Sequence, residues 1–580
     1  MEYVRCRTAT SSTLAWVTVG LASFVLAAPL VAAATDEAWL ERYLDETFSA
    51  VIERVVVSDQ KVTVSGRVDG NRDNLLLAEI PLERTVDDPH GGETTDPVAV
   101  GTDGRFTLTL DRFRDRGGLP HDRLTSRWQL LEQAGTRQTP RSHARYADTV
   151  PCRSPDLPAA RPMTKKGLGG WQHVRLPDEI ESLGIGSVTV NIVPHTFVSL
   201  EPESGTFPFA WQGRTFHARE PALRRLDETF LQASRYGLMV SAIILIGNPA
   251  REESPVLDLL GHPDAVRNGV FAMPNVTHAD GVALYGGLLN LMAERWSRPD
   301  GRHGRVHHWI MHNEVDAGYE WTNCGLKPAI VYMDLLQRSL RLMHLIARRY
   351  DPHARTFISL THHWAAPGRP EWYGSKRMLD LLVRFCHAEG DFPWAVAFHA
   401  YPQDLRNPRT WEDQQATFRF NTPKITPRNL EVLEAYLRQD HFLHGGQPRP
   451  IHFSENGFNS RDYGSESLAD QAAGMAYAWK KVQAMPLAEV WHYHNWIDNR
   501  HEGGLRIGLR KFPDDLNDPL GPKPIWHLYR ALGTPDEDAS AAASLQRIGI
   551  AAWDDIPHRG PIDTGSGPTT DAAADKPPGS

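Results

Sequence analysis

Cysteine is scarce in this chain of 580 residues: there are four, and no CxxC pair occurs anywhere. That excludes a metal ribbon or a disulfide framework as the source of the fold. With Cys6 near the N-terminus, Cys152, Cys324 and Cys386 leave room for at most one disulfide beside a free thiol. Basic blocks are missing too. Lys and Arg number 62 against 71 Asp and Glu, a formal charge of −9, so no nucleic-acid partner is expected. At 41% hydrophobic and 23% charged residues the chain is too polar for a polytopic membrane protein, yet too apolar for a disordered one. What remains is a globular protein of more than one domain, or a large barrel with an appendage.

The N-terminus carries Arg5 and Arg7 ahead of an uncharged run from Leu14 to Ala34 that ends in small residues. This reads as a secretory signal peptide over 1–34, cleaved near Ala32–Ala34, with an uncleaved anchor as the alternative. Either way the rest of the chain is expected outside the cytoplasm: secreted, periplasmic or at the cell surface, with no other membrane association. Residues 35–50 then read as a short amphipathic helix. Alternating runs at 61–68, 74–82, 104–110 and 126–133, separated by turn clusters, predict a small antiparallel β-sandwich over 35–146. It either binds sugar or packs against its neighbour.

A Pro/Arg-rich linker is expected over 147–165. From 166 to 535, eight strand-like runs alternate with amphipathic helical segments: 187–193, 238–246, 269–276, 306–314, 356–364, 394–402, 450–458 and 489–497. That pattern predicts an α/β fold, a (β/α)₈ TIM barrel with long loops. The glycine-rich KKGLGGW at 165–171 reads as a tight turn. Residues 536–580 read as a mostly disordered tail rich in Asp, Ala, Pro, Gly and Ser, broken by 544–556.

In such a barrel, chemistry sits at the C-terminal ends of the strands. The fourth run closes with His312-Asn313-Glu314, and the seventh carries Ser454-Glu455-Asn456. Glu is rarely buried without a partner, so a carboxylate ending an apolar strand calls for a reason. Two carboxylates facing each other across a barrel mouth are what glycoside hydrolysis requires: one protonates the leaving oxygen while the other attacks the anomeric carbon or activates water.

The order of these motifs resembles the retaining (β/α)₈ glycoside hydrolases of clan A, the four/seven superfamily. There an Asn-Glu pair ends strand four and a Glu ends strand seven. HAYP at 399–402 is similar to the clan's sixth-strand motif, and GPKPIWHLYRAL at 521–532 to the segment leading into its last helix. The whole chain also resembles an uncharacterised family of bacterial secreted proteins related to that clan. The resemblance implies Glu314 as general acid/base and Glu455 as nucleophile. It further implies Asn313 on the sugar 2-hydroxyl and Tyr401 orienting Glu455, with a carbohydrate as substrate and no cofactor. Trp496 is a candidate stacking floor for a sugar ring or a core residue. His399, His492 and His494 read as neutral hydrogen-bond partners lining the sugar site, and His307 and His308 as facing the helices or the core.

The pattern departs from the clan at one point. Its Arg near the end of strand two, which supports the nucleophile, has no counterpart in LMVSAIILIGNP at 238–249. An inactive glycan-binding barrel is therefore the second reading. A third is a metal-dependent hydrolase, in which His and Asp side chains would converge to about 2.0–2.2 Å from a common point.

Overall fold

The computed structural model describes residues 36–86, 94–556 and 562–564; the segment 1–34 lies outside them. Among the described residues no helix is long and apolar enough to cross a membrane.

After a helix at 36–45, two antiparallel sheets follow. One pairs Ala50–Val57, Lys61–Val68 and Arg105–Asp111; the other orders Thr95–Pro97, Leu75–Ile80, Arg127–Ala134 and Arg137–Pro140. Period-two alternation explains the packing. In Lys61–Val68 the valines at 62, 64 and 68 point inward with Leu77, Trp128 and Leu130, while Lys61 and Arg67 stay exposed.

Eight parallel strands close a barrel: Lys166–Leu168, Ser187–Ile192, Met239–Ile244, His308–Ile310, Arg355–Leu360, Ala395–His399, Ile451–Asn456 and Ala488–Tyr493. The number agrees with expectation, but two members differ. Strand one is the KGL of the stretch read as a turn. It is too short to show periodicity, and a Cβ at Gly167 would meet His492 Cδ2 at 2.4 Å and Ser187 O at 2.6 Å, so only glycine fits. Conversely, 269–276 is outside the barrel. Its Met273 and Val276 are apolar because they are buried beneath the third loop, where Phe271–Ala272 pairs with Ile246–Gly247 and bridges to Asn323, and with no barrel strand. Both differences precede strand four, so the fourth and seventh strands keep their places. Buried faces of the long helices Glu220–Arg235, Ala279–Trp296, Ala329–Ala347, Ser375–Glu389 and Ser465–Gln483 cover the barrel, as does Pro524–Ala531.

Beyond 536 the chain is ordered further than composition suggests. Helix Glu537–Ile548 docks on Ser465–Gln483: Trp479 Nε1 donates to Glu537 Oε2 at 2.8 Å, and Arg547 pairs with Asp470 at 2.7 Å. Residues 565–580 lie outside the described residues. Cys152, Cys324 and Cys386 are all free thiols, so the disulfide allowed by the cysteine count does not form.

The sandwich is joined to the barrel through buried charge. Arg127 of the sandwich and Glu389, the last residue of its barrel helix, pair at 3.1 Å with both side chains fully buried. Tyr43 Oη and Gln337 Nε2 donate to the same carboxylate at 3.3 and 3.2 Å, and the Arg341 guanidinium lies over the rings of Tyr146 and Phe392 at 4.8 and 4.0 Å.

Candidate active site

Strand four ends in a sharp change of direction. His312 is buried and anchored, Nδ1 lying 2.8 Å from Ile244 O and Nε2 2.9 Å from Ser339 Oγ. Asn313 and Glu314 then emerge half-buried at the mouth. Glu314 has φ +40°, a left-handed conformation that costs a non-glycine residue about 1–3 kcal/mol. Its neighbours fix it there. Glu314 N–H donates to Ser359 Oγ on strand five at 3.1 Å. Two residues on, buried Asp316 accepts Thr361 N–H at 2.8 Å and the hydroxyls of Thr361 and Ser375. Burial, with Glu314's charge adding to it, pushes the Asp316 carboxyl up to about 6 against these hydrogen bonds. Asp316 is therefore a clamp on the fourth loop.

On strand seven Glu455 is the one side chain that is not fully buried, and it pairs in register with His399 on strand six. One oxygen of Glu314, one nitrogen of His399 and one oxygen of Glu455 all lie within 4.8 Å of one another. His399 Nδ1 is 2.9 Å from Glu314 Oε1, and its Nε2 is 3.3 Å from Ser359 Oγ. Tyr401 Oη donates to Glu455 Oε1 at 2.6 Å.

Electrostatics separate the two carboxylates. Burial works to raise the Glu455 carboxyl, but the charges of His494 and His399 and the Tyr401 hydrogen bond hold it below the ordinary glutamate value. Burial and the Glu455 charge drive the Tyr401 phenol well above 10, so it remains a donor. Burial disfavours a charge on His399, yet Glu455 and Glu314 raise it above its usual value. Burial likewise opposes charge on His494, but Glu455 and a hydrogen bond to Glu502 push it up to about 9. His494 Nε2 lies 3.2 Å from Glu502 Oε2, and that carboxylate also accepts Asn495 Nδ2 at 2.6 Å and Asn499 Nδ2 at 2.9 Å. Strand two proper, Ser187–Ile192, also lacks the Arg absent from 238–249. A cation beside Glu455 comes instead from the end of strand eight, where His494 is charged and not the neutral partner expected.

Two expectations need correction. Trp496 is 5% exposed and packed in the core, its Nε1 donating to Glu179 Oε2 at 2.8 Å, so it presents no open face for a sugar. His492 does not line the mouth; it is fully buried inside the barrel with Nε2 2.9 Å from Ser187 Oγ. His307 and His308 sit at the other end of the barrel, His307 accepting Val240 N–H and His308 packing on Phe357 and His452.

As a metal site the Glu314–His399–Glu455 group fits poorly. Both nitrogens of His399 are engaged by protein oxygens, and Glu455 carries the Tyr401 hydroxyl. Ser359 is a participant that sequence reasoning misses, and Glu502, legible only as one of the charges after strand eight that could select a sugar, holds His494 instead. A serine inside an apolar strand and acids in loops carry no local signal of what they meet across the barrel.

The family described as "Family of unknown function (DUF5722)" matches residues 158–556, and the chain belongs to it. A search of curated proteins finds no match. Similar solved structures include a family 39 glycoside hydrolase from the gut symbiont Bacteroides cellulosilyticus WH2. It has 11% identity and a TM-score of 0.42, over 84% of this chain and 83% of that one. Another is Bacteroides uniformis β-glucuronidase 2, at 12% identity and TM-score 0.36. It is matched over 84% of this chain and 50% of its own, so this chain spans half its length. A third is the Penicillium canescens endo-1,4-β-xylanase XylE, at 11% identity and TM-score 0.39, over 65% of this chain and 94% of that one.

Proposed function

We propose that the protein is an exported glycoside hydrolase that cleaves O-glycosidic bonds of an oligo- or polysaccharide with retention of configuration. The observation that carries this reading is the approach of Glu314 and Glu455 to within 4.8 Å across the barrel mouth, each with its own protein partner. A retaining pair stands about 5–5.5 Å apart, whereas an inverting pair needs about 6.5–9.5 Å to admit water.

In the first step a Glu455 oxygen bonds to the anomeric carbon as the bond to the leaving oxygen breaks, and Glu314 gives that oxygen its proton. In the second, water attacks the same carbon, the ester to Glu455 breaks, and Glu314 recovers a proton from the water. Environment supports this division of labour. Glu455 is held ionised by His494, His399 and Tyr401, as a nucleophile must be, and His399 orients Glu314. Asn313, next to Glu314, is the candidate for the 2-hydroxyl. A binding protein has no need of hydrogen bonds supporting both carboxylates.

Reducing-sugar release from a panel of polysaccharides and aryl glycosides, with Glu314→Gln and Glu455→Gln in parallel, tests this. Glu455→Gln should lower kcat by about 10⁴-fold or more, and a 2-fluoro glycoside should label Glu455 in the wild type. Full activity in either variant would sink the assignment, and an inverted product would replace retention by inversion.

A further inference from the structure

A cavity of about 450 Å³ opens on the same end of the barrel, between the loops that follow strands five, six and eight. Its lining residues neighbour the catalytic residues along the chain. Gln403 follows Tyr401 by two positions, Gly503 adjoins the Glu502 that holds His494, and His362 and His363 follow the strand that carries Ser359. Lys424 and Arg406 supply its charge.

Among the described residues no carboxylate forms a salt bridge with either cation. Lys424 Nζ donates to the Gln403 carbonyl at 2.7 Å, and Arg406 Nη2 reaches the Gly503 carbonyl at 3.4 Å. Asp413 and Asp404 act on Lys424 through their charge without contacting it, and their hydrogen bonds go to other groups. Asp404, also in the wall, accepts the backbone N–H of Arg406 at 2.9 Å in its own turn. Asp413 takes Gln403 N–H at 3.2 Å and the Thr410 hydroxyl at 2.9 Å. Fully buried cations such as Arg112 and Lys523 pair with carboxylates, those of Asp122 and Asp498, whereas Lys424 is half-buried and Arg406 exposed at the rim. Lys424, held on a carbonyl in the wall, and Arg406, at the exposed rim, are donors with free capacity facing one cavity. The histidines add neutral hydrogen-bonding capacity: burial and the Lys424 charge push His363 down to about 4. Leu405, 41% exposed, gives an apolar edge for the C–H face of a ring.

We propose that this cavity is a subsite for a negatively charged sugar, its carboxylate or sulfate held by Lys424 and Arg406, so that the substrate of the barrel is an acidic glycan. This rests on the hydrolase reading for turnover but not for binding. A carboxylate or sulfate oxygen accepts from both cations at once, and guanidinium geometry suits a two-oxygen acceptor.

The test is calorimetric titration of the Glu314→Gln/Glu455→Gln double variant. The probes are trimers of galacturonate, glucuronate and mannuronate, their carboxyl-reduced counterparts, and a sulfated galactan trimer with its desulfated form. At least one anionic trimer should bind about tenfold or more tighter than its neutral counterpart, the preference weakening with salt. The uronates and the sulfated trimer tell carboxylate from sulfate. Adding Lys424→Ala or Arg406→Ala should abolish most of the preference without changing neutral binding, and Lys424→Arg should retain it, which separates charge from misfolding. Equal affinity for charged and neutral partners, or a preference that survives loss of both cations, would overturn the subsite. If the wild type cleaves nothing on the panel while the preference holds, the hydrolase reading fails and the acidic subsite stands.

Discussion

Two carboxylates, the fully buried Glu389 at the seam between sandwich and barrel and the half-buried Glu455 at the mouth, show how one residue type is put to opposite ends. At the seam, Arg127 neutralises Glu389 and Tyr43 and Gln337 complete its hydrogen bonds, so that no part of it faces water. At the mouth, Glu455 accepts a single hydroxyl, from Tyr401, and its charge is balanced through His494 and His399. The seam carboxylate is closed and fixes two domains against each other. The mouth carboxylate is ionised but left unfinished on one side, which is the condition for a nucleophile. The difference lies in whether the partners saturate the group, not in burial alone.

Breaking the seam is the sharpest way to test that contrast. Arg127→Ala strands Glu389 in a dry interface and should lower stability by about 3–5 kcal/mol. The midpoint of urea unfolding would report it, with kcat little changed in the folded fraction. Replacing both members, Arg127→Met with Glu389→Met, should recover much of the loss, because it removes the uncompensated charge. A double variant as unstable as the single one would show that shape at the seam matters more than charge.

At the mouth the corresponding change is His494→Gln. The cation raised to about 9 is removed, and the carboxyl of Glu455 loses the largest contribution holding it down. Its pKa rises, so the acid limb of kcat/KM should move to higher pH, with a loss of about ten- to a hundredfold at pH 5. In the wild type, the stability His494 gains from its carboxylate neighbours is full below its unfolded pKa of about 6.5 and is lost as pH rises through about 9. An unchanged acid limb in His494→Gln would mean that Tyr401 and His399 suffice to hold Glu455 ionised.

The same contrast explains what was legible in the sequence. Glu314 and Glu455 stand out because a charged residue ends an apolar strand, a local signal. The sandwich is legible because Lys61–Val68 alternates in period two. Strand one is not, since Lys166–Leu168 has no room for a period and its glycine mimics a turn. The run at 269–276 misleads because burial under a loop selects the same residue types as burial in a sheet. Ser359 acts only through partners brought together by barrel closure, so neither its identity nor its spacing announces it, and Asp316 and Glu502, visible as loop charges, do not announce which groups they hold. The seam was equally hidden: nothing near Arg127 in the chain anticipates Glu389.

Trp496 gives the smallest effect and the finest division between the regions. Although it follows His494 by two residues, its ring is buried and its N–H is committed to Glu179, which Arg510 also grips through Nε at 2.8 Å. In partnering it belongs with the seam. Trp496→Phe keeps most of the ring, removes one hydrogen bond to a charged acceptor and should cost about 1.5–3 kcal/mol of stability. Glu179 retains Arg510, which places the expected loss at the lower end. The catalytic constants should change less than threefold, because no surface offered to a sugar is removed. A large rise in KM at unchanged stability would return Trp496 to the mouth as a sugar contact and overturn its place with the seam.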